Sequence, residues 1–297
     1  MTNEASIAAT LPRRSEGYWG STWRRLRRDR ISLAALFLFV AICLLTLFAS
    51  VLASEILHTD ATRQYLNLRF LPPSPQNWLG TDEYGRDNLT RVLFAGRVSL
   101  TVGFTVSAVS LTLGVAMGLL SGFYGGLVDD VINAIIQTMF NFPSFFLLIL
   151  LSVTFRPNVW MLATFIGLMG WMGVARQVRG MVLSVKQREY VEAARTIGAS
   201  DLHIILRHVL PNVTSIIIVV TGFDIAGSIL AESGLSYLGL GVQPPTASWG
   251  NMLNGSLDYI RSAWWLVAAP GFAIFSTVLV VFLLADGLRD ALDPWMK

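Results

Sequence analysis

Residues 189–212 read EYVEAARTIGASDLHIILRHVLPN, a polar stretch between two apolar segments of membrane length. Its capping residues predict two short helices joined by a hinge. Ser184 would cap the first helix and Gly198 would close it, while Ser200 would cap the second and Pro211 would stop it. Each helix would have one apolar stripe, formed by Tyr190, Ala194 and Ile197 in the first and by Leu202, Ile205, Leu206 and Val209 in the second. The pattern predicts an exposed helical hairpin between two membrane spans.

The composition indicates a membrane protein. The 297 residues are 54% hydrophobic and 14% charged, with a mean hydropathy of +0.58, which is more apolar surface than one soluble core can bury. A spanning helix needs about 20 mainly apolar residues. We therefore expect an all-α integral membrane protein with six transmembrane helices, at 31–54, 98–121, 128–155, 158–178, 213–235 and 264–285.

Polar side chains interrupt the third apolar segment, 128–155. Val131, Ile135 and Met139 keep a helical stripe, and Pro143 is expected to kink the helix. The polar side chains are expected to face protein or water rather than lipid. They are Asp129, Asp130, Asn133, Gln137 and Asn141.

Arginine placement indicates the orientation. A cluster just before the first span predicts a cytoplasmic N-terminus, and its members are Arg13, Arg14, Arg24, Arg25, Arg27, Arg28 and Arg30. The apolar run that follows is too long for a cleavable signal and should persist as a helix. The stretch 18–30 fits a simple positive anchor or a surface helix against anionic headgroups. The predicted organisation is a cytoplasmic segment 1–30, a first helix 31–54, an external loop 55–97, a core 98–285 with the cytoplasmic loop 182–212, and a cytoplasmic tail 286–297.

One observation opposes this orientation. The loop predicted to be external contains five arginines, which are Arg63, Arg69, Arg86, Arg91 and Arg97. We retain the assignment because the N-terminal cluster is denser and the first span usually dominates.

Two loops on the predicted outer side contain capping or aromatic patterns. Residues 80–91, GTDEYGRDNLTR, predict a capped amphipathic helix on the outer side. The loop 236–263 is too polar to span and is expected to form a re-entrant or surface structure. Trp249, Trp264 and Trp265 would then lie at the membrane interface.

Small residues in the second span indicate close helix contact. Gly114, Gly118 and Gly122 recur every four residues, which places them on one face. This spacing favours packing against another helix over a role in gating.

Three polar residues are candidates for a translocation pathway. Asp224 and Glu232 lie eight residues apart in the fifth span and fall on nearly the same helical face. Charged groups at such depth usually face a bundle interior or an aqueous cavity, and Asn141 in the third span is a further candidate. The alternative is structural, with Glu232 capped at the outer membrane edge and Asp224 paired with a neighbour.

The sequence lacks the residues that ATP hydrolysis, other catalysis and metal binding require. Lys186 and Lys297 are the only lysines and neither belongs to a phosphate-binding loop, so the chain cannot hydrolyse ATP alone. No catalytic motif is present. Cys43 is the only cysteine, and His203 and His208 are not spaced as a helical ligand pair, so no metal site is expected. The basic pI of 9.2 reflects the N-terminal cluster and not nucleic-acid binding.

The 189–212 stretch resembles the EAA loop of ATP-binding-cassette importer permeases, EAA-x3-G-x9-I-x-LP, with His208 in place of the usual Ile. Four other segments resemble the dipeptide, oligopeptide and nickel permease family, specifically its second permease subunit. They are LGTDEYGRDNLTRVLFAGRVSL from Leu79, ILAESGLSYLGLGVQPPTASWG from Ile229, SAWWLVAAPGFAI from Ser262 and ADGLRDALDP from Ala285. Glu232 belongs to the second of these, whereas Asp224 matches no family motif.

The resemblance implies a type I importer transmembrane domain in a bacterial or archaeal cell membrane. It implies a heterodimer with a second permease subunit, two separate ATPases that bind ATP and Mg, and an extracytoplasmic solute-binding protein, with no cofactor bound by this chain. The residues expected to couple to the ATPase are Glu192, Ala193, Ala194, Gly198 and Pro211, with Glu192 placed to pair with Arg188 or Arg195.

Three alternatives remain at this stage. The 189–212 stretch alone also fits an ordinary basic loop. An ion-gradient-driven transporter would use Asp224 and Glu232 as a proton relay, although no internal repeat is visible. A membrane scaffold would show no cargo-dependent activity. The family carries dipeptides, longer peptides, nickel chelates and some sugars, and peptide is the expected cargo.

Overall fold

The structure, a computed structural model, describes residues 18–292, with side chains from residue 20 onward. The expectations for 1–17 and 293–297, and for the side chains of Tyr18 and Trp19, lie outside the described residues. The α-helices of the described part are α1 (Tyr18–Arg28), α2 (Arg30–Leu47), α3 (Ala49–Val51), α4 (Asn88–Tyr124), α5 (Gly126–Phe140), α6 (Ser144–Phe155), α7 (Val159–Val185), α8 (Glu189–Thr196), α9 (Asp201–Ile204), α10 (Leu210–Tyr237), α11 (Trp249–Leu253) and α12 (Trp265–Leu292).

The predicted all-α membrane fold is confirmed. Five helical segments are long and apolar enough to span a membrane, and they are Arg30–Leu47, Asn88–Tyr124, Val159–Val185, Asp201–Tyr237 and Trp265–Leu292. The pair α5–α6 supplies a sixth span if it is counted as one, and its two helices meet at 74°. Pro143 lies in the break, as expected from its missing N–H.

The second span begins earlier than predicted. Asp87 caps α4 by accepting a hydrogen bond from the Thr90 N–H at 2.8 Å, and the helix then runs unbroken to Tyr124. The separate outer amphipathic helix expected over 80–91 is therefore wrong. Its last residues form the first turn of α4, because an Asp N-cap starts a helix and no breaker follows.

The chain crosses the bundle six times if α5–α6 counts as one span, which gives the bundle two distinct ends. We call the end that carries α8 the α8 end and the opposite one the far end. Gly122 near the end of α4 lies against Val182 near the end of α7, so these helices run parallel and both finish at the α8 end. The start of α10 lies there too, because Val213 in its first turn packs in one cluster with Val191 of α8 and Val182 of α7.

The glycine repeat of α4 packs as predicted. A Cβ atom at Gly114 would lie 2.5 Å from Val174 Cβ, and one at Gly118 would lie 2.7 Å from the Ala175 carbonyl oxygen. The close contact with α7 thus needs hydrogen in place of a side chain, and the packing prediction is confirmed.

Two of the three tryptophans expected at the membrane interface are buried instead. Trp249 is 2% exposed and donates from Nε1 to the Val92 carbonyl at 2.9 Å. Trp265 is 5% exposed and donates from Nε1 to the Thr81 carbonyl at 3.0 Å. An indole pairs its N–H when buried, so these residues fasten the far-end loops to the helices, and Trp264 alone is exposed.

The hairpin prediction needs two corrections. Ser184 lies inside α7 and does not cap α8, whose preceding residue is Arg188. Pro211 does not stop the second helix, because it sits in the first turn of α10. The widened turn Ile205–Val209, in which the Leu210 N–H bonds to the Ile205 carbonyl, relieves the clash that proline causes in a regular helix. The Ser200 cap and the Gly198 turn are confirmed.

Candidate coupling surface and intramembrane carboxylates

The segment from α8 to the widened turn has one face packed firmly against the membrane helices. Its buried apolar side chains join a cluster with Phe123 of α4 and with valines of α7. Those side chains are Val191, Ala194, Ile204, Ile205 and Val209, each at most 6% exposed. The segment is therefore fixed to the ends of the spans and cannot move independently of them.

The other face of this segment exposes large apolar side chains. Ile197 is 86% exposed, Leu202 64%, Leu206 54% and Tyr190 42%. The predicted stripes mixed the two faces. Ala194, Ile205 and Val209 point inward, whereas the other residues of the two stripes point outward. A three-dimensional contact was needed to separate them, because both faces are apolar.

The residues predicted to couple lie on or beside this exposed surface. Glu192 and Ala193 are exposed, as is Pro211, while Ala194 is buried. Gly198 has φ of +84°, and nothing lies within 4 Å of the place that a Cβ atom would occupy there, so its backbone turn rather than a close contact requires glycine. The ion pairs found in the described part of the chain do not include Glu192.

Two contacts that the sequence did not predict join the end of α4 to the residue that follows α7 and to α8. Lys186 Nζ donates to the Gly122 carbonyl at 2.8 Å, and the Arg195 guanidinium lies 5.7 Å from the centre of the Phe123 ring. An open polar cavity of about 460 Å³ lies between them and is also lined by Glu192. The only sequence signal was a lone internal lysine in a chain that otherwise uses arginine.

A second unpredicted element is an ion pair at the α8 end. Arg179 donates from Nε and Nη2 to the two carboxylate oxygens of Asp129, each at 2.6 Å. Asn133 Nδ2 also donates to this carboxylate, and so does Ser121 Oγ. These hydrogen bonds hold α5 against both α7 and α4, at a point close to α8. Sequence analysis placed Asp129 on a polar flank but could not find its partner fifty residues away.

Asp224 lies at the junction of α10, α4 and α7. Its carboxylate accepts a hydrogen bond from Ser110 Oγ of α4, and Gly170 of α7 faces its other oxygen. The side chain is partly exposed. Asp224 therefore has the neighbour that the structural alternative requires, and it also retains access to the surface of the chain.

Glu232 has a different environment. It is 0% exposed and accepts hydrogen bonds from Ser99 Oγ at 3.1 Å and Ser236 Oγ at 2.6 Å. Ser99 Oγ in turn accepts from the Trp249 N–H at 3.2 Å. This network joins α4, α10 and α11. Asn141 lies exposed at the bend between α5 and α6, so the structure does not bring the three pathway candidates together.

The described residues contain no cluster of three or more His, Cys, Asp or Glu side chains that could hold a metal ion. The centres of the His203 and His208 rings lie 5.9 Å apart, but no acidic side chain or cysteine in the described residues completes a three-residue metal site with them.

Comparison with known proteins agrees with this architecture. Residues 114–297 match the family described as the binding-protein-dependent transport system inner membrane component, and residues 17–73 match the N-terminal transmembrane domain of oligopeptide transport permease C. The dipeptide transport system permease protein of Bacillus subtilis is 38% identical over 98% of this chain and 90% of its own length. The oligopeptide transport system permease protein of the same organism is 33% identical over 99% of this chain and 95% of its own length.

A third relative is the glutathione transport system permease protein of Pectobacterium atrosepticum, 38% identical over 94% of this chain and 92% of its own length. The family match covers more than half of the chain, and these relatives align along nearly all of it. The chain is thus a multi-pass inner membrane protein and belongs to the family of binding-protein-dependent transport system inner membrane components.

Proposed function

We propose that this chain is one of two different permease subunits of an ATP-driven peptide importer, and that its α8 end docks on a separate ATPase subunit. The relatives are named for dipeptide, oligopeptide and glutathione transport. The chain itself has no phosphate-binding loop, so a partner must supply ATP hydrolysis and hold the Mg ion.

The observation that carries this proposal is the exposed apolar face of the α8 end. Ile197, Leu202 and Leu206 project from the polar segment 189–212, which joins α7 to α10 at the α8 end of the bundle. Large apolar side chains grouped on such a surface mark a protein interaction site. A partner that covers them acts on a segment whose other face is packed against three spans.

The mechanism follows from this attachment. Movement of the ATPases on binding ATP shifts the segment as a rigid body, because Val191, Ala194 and Ile204 lock it to α4 and α7. Lys186 and Phe123 transmit the shift to the end of α4. Rigid-body motion of two pseudo-symmetric subunits then opens the pathway alternately to either side of the membrane.

The proposed orientation places the α8 end and both termini in the cytoplasm and the far end outside. The far end would then receive the solute-binding protein, which carries most of the cargo selection. Of the three pathway candidates, we place Asp224 and Asn141 on the translocation face. We assign Glu232 a supporting role, because its hydrogen bonds hold α11 at the far end against α4.

The test is co-purification of the tagged chain from native membranes together with ATPase and uptake measurements. The amount of ATPase that co-purifies with Ile197→Asp should fall at least tenfold, because a charge replaces the most exposed apolar side chain of the surface. Leu66→Asp is the matched control, since Leu66 is 64% exposed on a far-end loop. Retention of the ATPases by Ile197→Asp would refute the docking surface.

The ion-gradient-driven alternative predicts a different outcome. Uptake would continue without ATPase subunits and would collapse when the membrane potential is removed. The separate burial of Glu232 argues against a two-carboxylate relay, since Asp224 and Glu232 contact different serines.

A further inference from the structure

We infer that Asp224 is a binding site for the ammonium group of the transported peptide, located halfway through the membrane. This inference rests on the proposed function, because it assigns the cargo to the peptide class. It adds a ligand chemistry to a residue that matches no motif of the family.

The depth of Asp224 makes a carboxylate without a functional partner expensive. At 1.5 Å per residue it lies about 20 Å along α10 from either end of that helix. A charged group near the bilayer centre costs about 2.5–3.5 kcal/mol on insertion scales and is usually found where it faces water or a partner. A position this costly needs a compensating interaction.

The protein itself supplies only part of that interaction. Ser110 Oγ donates to Oδ2 of Asp224, while none of the ion pairs within residues 18–292 involves Asp224. Ser107, one turn before Ser110 on α4, has a buried Oγ without a hydrogen-bond partner. The hydroxyls of Ser110 and Ser107 both lie beside the carboxylate, and none of the cations in the described residues pairs with it.

The second oxygen faces the backbone of α7. Oδ1 lies 3.4 Å from the place that a Cβ atom would occupy at Gly170, so α7 offers no side chain there. Gly227, one turn after Asp224 on α10, is exposed with nothing within 4 Å of its own Cβ position. Gly227 thus leaves open space one turn from the carboxylate, on the exposed side of α10.

This space adjoins a polar face of α7. Small or polar residues recur on one side of the helix at alternating steps of four and three, and all are at least partly exposed. They are Gly173, Gln177, Gly180 and Ser184. A lipid-facing stripe would be apolar, so this one faces protein or water, and it runs from the α8 end towards Asp224.

The fitting ligand is a primary ammonium group. Dipeptides, oligopeptides and glutathione all carry one, and an ammonium donates charge-assisted hydrogen bonds to a carboxylate. The partly exposed carboxylate has no cation partner among the described residues, and the open space at Gly227 lets a compact ammonium group approach it. Asp224 would give the moving peptide a temporary partner in place of water.

The experiment measures local charge with cysteine reporters in the assembled transporter. In a Cys43→Ala background, Gly227→Cys reports beside Asp224 and Gly180→Cys reports on the same face further away. Each is modified with cationic 2-aminoethyl and anionic 2-sulfonatoethyl methanethiosulfonate, with Asp224 intact and as Asp224→Asn.

We expect the cation-to-anion rate ratio at position 227 to fall about fivefold in Asp224→Asn, as one charge a few ångströms away requires in a partly aqueous site. The ratio at position 180 should stay within about twofold, because screening weakens the field over that distance. Millimolar dialanine should slow modification at 227, and N-acetyl-dialanine should not.

Three results would overturn the inference. They are no modification at 227 while 180 reacts, an unchanged ratio in Asp224→Asn, and equal protection by both dialanine forms. ATP-dependent uptake measured on the same preparation tests the proposed function separately. Normal ATP-dependent uptake with an unchanged ratio would remove the ammonium site and leave the importer assignment intact.

Discussion

Substituting Gly118 by alanine should destabilise the protein even though alanine is the better helix former. The added Cβ would lie 2.7 Å from the Ala175 carbonyl oxygen and 2.8 Å from Val178 Cβ. Neither atom is the end of a flexible side chain, so α4 and α7 must separate along their whole contact. Overpacking of this kind costs about 1–3 kcal/mol.

The matched control is Gly180→Ala, on a membrane helix but with nothing within 4 Å of its Cβ position. It should gain up to about 1 kcal/mol from helix propensity alone. The two variants should therefore differ by about 1–4 kcal/mol, which corresponds to a Tm difference on the order of 2–16 °C. Thermal unfolding in detergent, followed by fluorescence-detected size exclusion, measures it. Equal Tm values would show that α4 and α7 are not held by this glycine contact.

Three further variants test other contacts. Asp129→Asn should lower the free energy of unfolding by about 1–3 kcal/mol, because it removes the charge that receives both hydrogen bonds of the half-buried Arg179. Exposed Asp130→Asn should change it by less than about 0.5 kcal/mol, and equal losses would exclude the ion pair as the cause. Gly198→Pro cannot adopt the positive φ and should reduce uptake about tenfold or more with normal membrane insertion; normal uptake would contradict the coupling role. Arg97→Met removes the donor to the Thr46 and Leu47 carbonyls and should cost about 1–2 kcal/mol in the same unfolding assay, whereas an unchanged Tm would show that solvent replaces it.

Most of the membrane fold could be predicted because the bilayer reduces it to a question of length and apolarity. The spans, the break at Pro143 and the glycine contact of α4 each depend on a local pattern. The second span begins at Asn88 instead of the predicted residue 98, and the reason is again a local pattern. An Asp N-cap at residue 87 fits a short surface helix, and the same cap serves equally for the first turn of a spanning helix.

The candidate site was predictable only where its residues are neighbours in sequence. The Gly198 turn and the Ser200 cap follow from residue type. The pairing of Asp129 with Arg179, and of Lys186 with the Gly122 carbonyl, depends on how α4, α5 and α7 meet. Burial of Glu232 depends on α11, whose five residues fold under the far-end loop and have no periodic signal.

Three of the five arginines in the region 55–97 have a structural reason that is independent of orientation. Arg86 and Arg91 both donate to the buried carboxylate of Asp82, and Arg97 donates to the carbonyls that end α2. These side chains hold the loop against the start of α4, and the fold needs them on whichever side of the membrane it lies. Their number is therefore a poor measure of the topological signal, and the arginine cluster before the first span remains the stronger guide. For these three arginines the opposing observation loses its weight, and the cluster before the first span supports the proposed cytoplasmic position of the α8 end.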